Sequence, residues 1–355
     1  MDISNSELET FLRCRRMWGF ESINRMNLRT RKPMPHLAFY TGEVVHKIME
    51  QQVILGHKPD IDAILNEQEK VAEERYADIV GARWSTEERQ LLQDSRELVT
   101  SIMNHYFRHW GSENPLGNEF RYLKAEVTFR VPIPDTEHHL VGTIDGIAER
   151  FDGTIYLVEH KTTSVGFPKP EELQVSRQLQ AYTWAASQLL ETPVSGIIYD
   201  GILKKAPLIP RVLKDGTLSR QIVATTPEVY RLAIQAMNLN EADYTDVIAS
   251  LRDDHFFQRH IIRFTRRSLE LFGEQLRDFV VDMANPNLPL YPNFQWSGCW
   301  DCRFRDLCTA TQLGEDTQPI LELNYQRAEL SPSRRKEQVA EINIDELRLG
   351  GPHEV

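Results

Sequence analysis

The chain has 355 residues, 41% of them hydrophobic, with 52 acidic against 41 basic side chains and a net charge of −11. Such a length and apolar content support a well-buried core with a helical elaboration, and the negative balance excludes broad non-specific adhesion to nucleic acid. No apolar run approaches the ~20 residues of a membrane span, and the N-terminus lacks a signal-peptide core, so no membrane association and a cytoplasmic location are expected.

Ser4-x-x-Glu7 is a capping-box pattern opening a helix, with Leu8, Phe11 and Leu12 on its apolar side and Cys14 near its end. Arg13, Arg15, Arg16, Arg25, Arg29, Arg31 and Lys32 make this segment basic, and Arg259, Arg263, Arg266 and Arg267 form a second cluster. Each cluster reads equally well as a phosphate contact or as a solvated face. After a Pro-punctuated connection at 32–35, Val45, His46, Ile48, Met49, Gln52 and Val53 recur at helical spacing. Gly42, one turn before His46, permits close approach of another backbone. His46 is a possible nitrogen ligand, although a lone His on an apolar face is more often a satisfied core residue. Helical patterns at 61–79 and 86–110 form a cap that ends at Asn114, Pro115 and Gly117. Residues 121–131 then alternate as a strand. Glu126 inside it reads first as a strand-surface charge and second as an outer or second-metal carboxylate.

Residues 140–161 carry the chemistry. Two short strands flank Asp152–Gly153, a dipeptide suited to a tight hairpin. Val141, Thr143, Asp145 and Ile147 share one face, as do Ile155, Leu157, Glu159 and Lys161. Apolar faces therefore run into ionisable groups, which need partners or a metal once water is stripped away. Asp145 and Glu159 suit Mg²⁺ or Mn²⁺, hard cations that prefer oxygen, and the His160 carbonyl adds a further oxygen. Lys161 is placed to orient a metal-bound water and to offset charge on the phosphorane. Glu159–Lys161 is the only place where an acidic residue precedes a Lys by two positions. The plainer reading is an exposed Glu–Lys pair worth under ~1 kcal/mol.

A helix is expected over 171–190, with Val175, Gln178, Tyr182, Ala185 or Ala186, and Leu189 inward. Gln178 and Tyr182 fit either a catalytic carboxylate, a DNA phosphate or plain backbone satisfaction. Strands follow at 194–203 and 222–225, helices at 228–238 and 243–251, an extended stretch at 260–265 and an amphipathic helix at 268–283. The order implies a mixed α/β core with a helical subdomain. Beyond Gln312 the chain turns acidic and polar, with Ser331-Pro332 and Gly350-Gly351-Pro352, and reads as a loosely packed tail. Trp18, Tyr40 and Trp184 offer stacking surfaces for bases, with core packing the commoner role.

There are four cysteines: Cys14, then Cys299, Cys302 and Cys308 in C-x₂-C-x₅-C spacing. Disulfides are disfavoured in a reducing cytosol, and so tight a spacing suits thiolates on one centre, either zinc or an iron–sulfur cluster. As a cross-link over about 285 residues it would contribute at most roughly 5–6 kcal/mol. No G-x-x-x-x-G-K-[ST] loop occurs, so any helicase motor belongs to a separate partner.

Taken together, His46 in GEVVH, Asp145 in GTIDG, Glu159 and Lys161 in EHK, and Gln178 and Tyr182 in QLQAY resemble the motif series of the PD-(D/E)XK nuclease superfamily. With Cys14, Cys299, Cys302 and Cys308 they resemble its RecB-type exonucleases that carry an iron–sulfur cluster, including those of helicase–nuclease complexes and of CRISPR adaptation. Arg15 stands where that family often has Pro, and Ile144 replaces the nominal Pro before the strand aspartate. The resemblance implies a restriction-endonuclease-like mixed central sheet flanked by helices and His46 as a metal ligand beside Asp145, Glu159 and His160. It also implies a [4Fe–4S] cluster and cleavage of DNA at single-stranded ends in recombination, repair, phage metabolism or CRISPR adaptation. The expected organisation is a segment 1–35 with the first cysteine, a helical subdomain 36–120, a nuclease core 121–285, a cysteine module 286–312 joining the N- and C-terminal parts, and a tail 313–355. The competing classes are a non-catalytic DNA-binding or assembly subunit and a four-cysteine zinc scaffold.

Overall fold

In the computed structural model, residues 1–31, 37–80, 84–190, 192–221, 224–252, 255–294 and 296–327 are described. Strand β1 (Asp2–Ser4) runs straight into helix α1 (Asn5–Arg13), where the Ser4 hydroxyl accepts the Glu7 N–H at 3.2 Å. Glu7 does not complete the box in the usual way. Its Oε1 accepts from Trp18 Nε1 at 3.1 Å and from Ser22 Oγ at 2.7 Å, tying α1 to α2 (Arg15–Glu21). Strand β2 (Leu28–Thr30) follows.

Three helices come next: α3 (Leu37–Leu55), α4 (Ile61–Val80) and α5 (Thr86–Trp110). α5 opens on a complete capping box between Ser85 and Glu88. Val45, Ile48 and Met49 of α3 pack with Leu65, Met103 and Tyr106 and with Ile202 and Phe257 of the sheet. The helical region therefore shares a core with the sheet. The element beside Gly42 is a side chain, since an added Cβ would lie 3.3 Å from Thr162 Oγ1.

The sheet is built on β3 (Phe120–Pro132), β4 (His139–Arg150) and β5 (Ile155–Thr163). β3 and β4 pair antiparallel from Phe120↔Arg150 to Pro132↔His139. β4 and β5 form the expected hairpin, with Gly153 at φ +82° supplying the left-handed turn residue. Strand β6 (Val194–Leu203) lies parallel to β5, reached through α6 (Pro170–Leu173) and α7 (Arg177–Leu189). After α8 (Pro227–Ala236) and α9 (Thr245–Ser250), β7 (Phe257–Ile262) closes the order β1-β4-β5-β6-β7 with β3 on the far edge of β4. Leu157, Ile147 and Ile197 on one face meet Leu179 and Ala185 of α7 and Leu276 and Val280 of α10 (Arg266–Ala284). Val158, Ala148 and Ile198 on the other face meet Val53 of α3. This is the mixed, helix-flanked sheet that the order of elements implies.

Some expectations are corrected. The helix read at 171–190 is broken at 174–176, and Val175 lies in the break with 74% exposure. Trp18 and Trp184 are buried at 1% and 5% exposure, so neither is a stacking platform. Residues after Gln312 are not uniformly loose. Following α11 (Trp296–Trp300) and α12 (Arg305–Leu313), α13 (Gln318–Asn324) leads into β8 (Tyr325–Arg327), which pairs antiparallel with β2. The remaining tail from 328, the connection at 32–36 and positions 222–223 lie outside the described residues, and 224–225, the rest of the strand read at 222–225, are irregular and lead into α8.

Candidate metal centre

The site forms where β4 and β5 part. Their pairing runs from Glu149↔Ile155 to Gly146↔Val158, while the same edge of β4 is taken at its start by β1, as far as Ser4↔Val141. Among the described residues no strand covers that edge between these two pairings. The freed backbone N–H of His160 is taken instead by a side chain, Asp145 Oδ2, at 2.8 Å. Asp145 Oδ1 lies 3.3 Å from Nδ1 of His46, carried in by α3. Burial alone would raise the Asp145 carboxyl, but the hydrogen bond to His46 and the charges of His46 and His160 hold it below its ordinary value. On His46 burial acts downward, and the Asp145 bond and charge outweigh it, leaving the imidazole raised.

Glu126 joins this pair. One ligand atom each from His46, Glu126 and Asp145 all lie within 4.8 Å of one another. The strand register accounts for the neighbourhood: Ala125↔Gly146 and Val127↔Ile144 place Glu126 opposite Asp145, with Glu126 at φ +48°, a left-handed conformation rare for a side chain of this kind. Glu126 thus lies at the strand surface, as its place in the alternation suggests, and on the side of the sheet that carries His46 and Asp145.

Glu159 lies on β5 with its side chain 3% exposed. Oε1 accepts from Gln178 Nε2 at 2.9 Å, and Oε2 is buried without a hydrogen-bond partner. Burial, then the Asp145 carboxylate, push Glu159 well up, opposed by Lys161. The Lys161 ammonium, 47% exposed, donates to Gln178 Oε1 at 2.7 Å and stands 3.9 Å from Glu159 Oε1. The Gln178 amide therefore bridges base and acid, and only one amide orientation satisfies both. Gln178 Nε2 also lies 3.3 Å from the Tyr182 hydroxyl, its neighbour one helical turn on. Gly142 leaves room there, since an added Cβ would lie 2.7 Å from Phe129 and 3.3 Å from Tyr182. Glu159, Lys161, Thr162, Gln178 and Tyr199 line part of a cavity of about 590 Å³.

Behind the site, the buried His160 ring places Nδ1 2.9 Å from Asp200 Oδ2 and Nε2 3.3 Å from the Tyr122 hydroxyl. Asp200, fully buried, also accepts from the Tyr106 hydroxyl and from Arg259 at 2.8 and 3.0 Å. Against the upward pull of burial, Arg259 and His160 bring Asp200 down to about 2. The sequence held one unused clue to this network: a lone acidic residue inside the apolar strand IIYDGIL. Arg259 is thus committed to an ion pair, and Arg266 and Arg267 pair with Glu270 and Glu274.

The N-terminal arginines are likewise occupied. Arg13, Arg16 and Arg25 donate to the carbonyls of Gly298, Leu290, and Met283 with Asn285, and Arg15 pairs with Asp282. They bind the first segment, with Cys14, to the C-terminal part that carries the other three cysteines. Cys14 Sγ accepts the N–H groups of Met17 and Asn293 at 3.5 and 3.4 Å. Burial, then the charges of Cys14, Cys308 and Cys299, push the Cys302 thiol up. Leu28, Phe304, Leu307 and Tyr325 pack beside it.

A family model for the PD-(D/E)XK nuclease superfamily matches residues 2–309. The chain belongs to that superfamily. No curated protein matches the chain. Among solved structures, one titled "Crystal structure of SSO0001" is similar at 15% identity, covering 77% of this chain and 97% of its own, with a TM-score of 0.28. At that score the likeness adds nothing to the superfamily assignment. None of the described helices is long and apolar enough to cross a membrane.

Proposed function

We propose that this PD-(D/E)XK protein is a Mg²⁺- or Mn²⁺-dependent DNA exonuclease that works on single-stranded ends. The observation carrying the reading is the gathering of His46, Glu126 and Asp145 within 4.8 Å, beside a buried Glu159 whose Oε2 has no partner. An unpartnered buried carboxylate oxygen is costly without a cation to face it, and an oxygen-rich set with one imidazole suits Mg²⁺ or Mn²⁺. His46, Glu126, Asp145, Glu159 and the His160 carbonyl are the groups that would hold it. The His160 N–H points toward Asp145, and in an extended strand the carbonyl of a residue leaves on the same side as its N–H. The bound cation would supply a water acidified for attack and a Lewis acid at the phosphoryl oxygen. The Lys161 ammonium would orient that water and offset charge at the reacting phosphorus. Gln178 holds Lys161 and Glu159 in their rotamers, and Tyr182 steadies Gln178.

The four cysteines belong to the same proposal as ligands of a [4Fe–4S] cluster. One upstream thiol with a C-x₂-C-x₅-C triplet suits a cluster better than a ribbon of two tight pairs. A cluster held there would tie the chain ends together. Four unpaired thiols also fit a reducing, cytoplasmic setting. Without a P-loop, the enzyme would act on strands already displaced by a separate helicase, recombination or CRISPR partner.

The test is digestion of 5′- and 3′-labelled single- and double-stranded oligonucleotides with wild type and Asp145→Ala. A ladder shrinking from one end, absent in Asp145→Ala, is expected. Strand binding without cleavage in either metal would instead assign a non-catalytic DNA-binding subunit.

A further inference from the structure

β5 and β6 run parallel and end side by side, Thr163 opposite Leu203, and crevices at the carboxyl ends of parallel strands are where α/β sheets bind ligands. Two cavities occupy this edge. The first, about 590 Å³, contains Glu159, Lys161 and Gln178. The second, about 560 Å³, lies against Ser164, Lys205, His255 and Gln258. Both are lined by Val165, Gly166 and Phe167, the turn that leaves β5.

That turn is held at its base and bare at its tip. Thr163 Oγ1 donates to the Gly166 carbonyl at 2.8 Å, and the Lys204 N–H donates to the Thr163 carbonyl at 2.7 Å, which sets Lys205 beside the turn. Val165 is 98% exposed. Charge distinguishes the second cavity. In a chain of net charge −11 its described lining includes no carboxylate, but it presents an ammonium, an imidazole, a hydroxyl and an amide. These are the donors that phosphate oxygens take, and the volume falls in the range of small-molecule sites.

We infer that the second cavity is a nucleotide subsite, taking the phosphodiester next to the one held at the metal centre. The Val165 turn stands between the two nucleosides as an apolar wedge between bases. This deepens the nuclease reading and rests on it. Lys205 contacts the neighbouring phosphate, and the substrate strand crosses the turn from one cavity to the other.

Fluorescein-labelled single-stranded DNA, titrated with Ca²⁺ in place of Mg²⁺, tests the assignment. Lys205→Ala is expected to bind about tenfold more weakly at low salt and to lower the salt slope by about 0.7, one single-strand phosphate contact. Lys205→Arg keeps both values. Mn²⁺-dependent hydrolysis of bis(p-nitrophenyl) phosphate, which has no neighbouring phosphate, stays at the wild-type rate in Lys205→Ala. Unchanged affinity and slope in Lys205→Ala, with wild type cleaving DNA, overturns the subsite alone. A wild type that neither binds nor cleaves with Mn²⁺ overturns the nuclease reading and the subsite together.

Discussion

Replacing Glu126 by Gly should separate stability from metal binding, because the residue is strained where it stands. A non-glycine side chain at φ +48° within β3 costs about 1–2 kcal/mol. Glycine removes that cost, together with one carboxylate from the neighbourhood of His46 and Glu159. In EDTA the variant is therefore expected to unfold at the same or higher denaturant concentration than wild type. With Mn²⁺ at 100 times the wild-type Kd, linkage stabilises wild type by about 2.7 kcal/mol. If losing Glu126 weakens Mn²⁺ about 100-fold, the same concentration equals the variant's Kd and contributes only about 0.4 kcal/mol. The order of stabilities thus reverses between EDTA and Mn²⁺. Urea unfolding in both buffers, with Mn²⁺ affinity from electron paramagnetic resonance, reads this out. A variant less stable in EDTA with an unchanged Mn²⁺ increment would refute the reasoning, since Glu126 would then be a structural residue.

Lys161→Ala, at a half-exposed position, should keep its fold while kcat on single-stranded DNA falls about 10²–10³-fold; equal loss of melting temperature and rate would count against a catalytic ammonium. Gln178→Leu removes the bridge from Lys161 to Glu159 and should lower the rate about 10–100-fold, checked by single-turnover cleavage. Asp200→Leu leaves the Arg259 guanidinium, only 13% exposed, without its carboxylate and should destabilise by about 3–5 kcal/mol in urea. The pH sign follows from Asp200 being lowered from 3.8 to about 2 in the folded protein. Its contribution, about 2 kcal/mol, is complete above pH ~4 and is lost as pH falls toward 2, a loss that acid titration of wild type should show and that Asp200→Leu should lack. Protein prepared anaerobically should be brown and contain iron and sulfide, and Cys302→Ser should lose both; a colourless zinc protein would replace the cluster assignment.

Residue types and local periodicity were enough to locate β3, β4, β5 and β6, the hairpin turn and α5, and to single out His46, Asp145, Glu159, Lys161, Gln178 and Tyr182 as candidates, while β1, β2 and β8 are too short to carry a pattern. Alternation and helical spacing act over a few residues, and a charge at the end of an apolar face is visible without knowing its neighbours. The break before Ser176 escaped because the helical pattern ran through it, with Val175 counted inward although it faces solvent. Other features depend on partners far along the chain. Arg259 read as part of a basic cluster until the fold placed it on Asp200, 59 positions away. Arg13, Arg16 and Arg25 read equally well as phosphate contacts or as a solvated face until packing gave them the carbonyls of residues 283–298. By itself, then, the sequence determined which candidate groups the chain carries and in what order, a His–Asp–Glu-x-Lys series and a cysteine triplet with one upstream Cys, because those depend on side-chain type and spacing. Only the tertiary structure decided that Glu126 stands beside His46 and Asp145 and that the arginines serve as ties. A backbone turned to φ +48° and a charge's choice among distant partners are outcomes of packing, which no local pattern encodes.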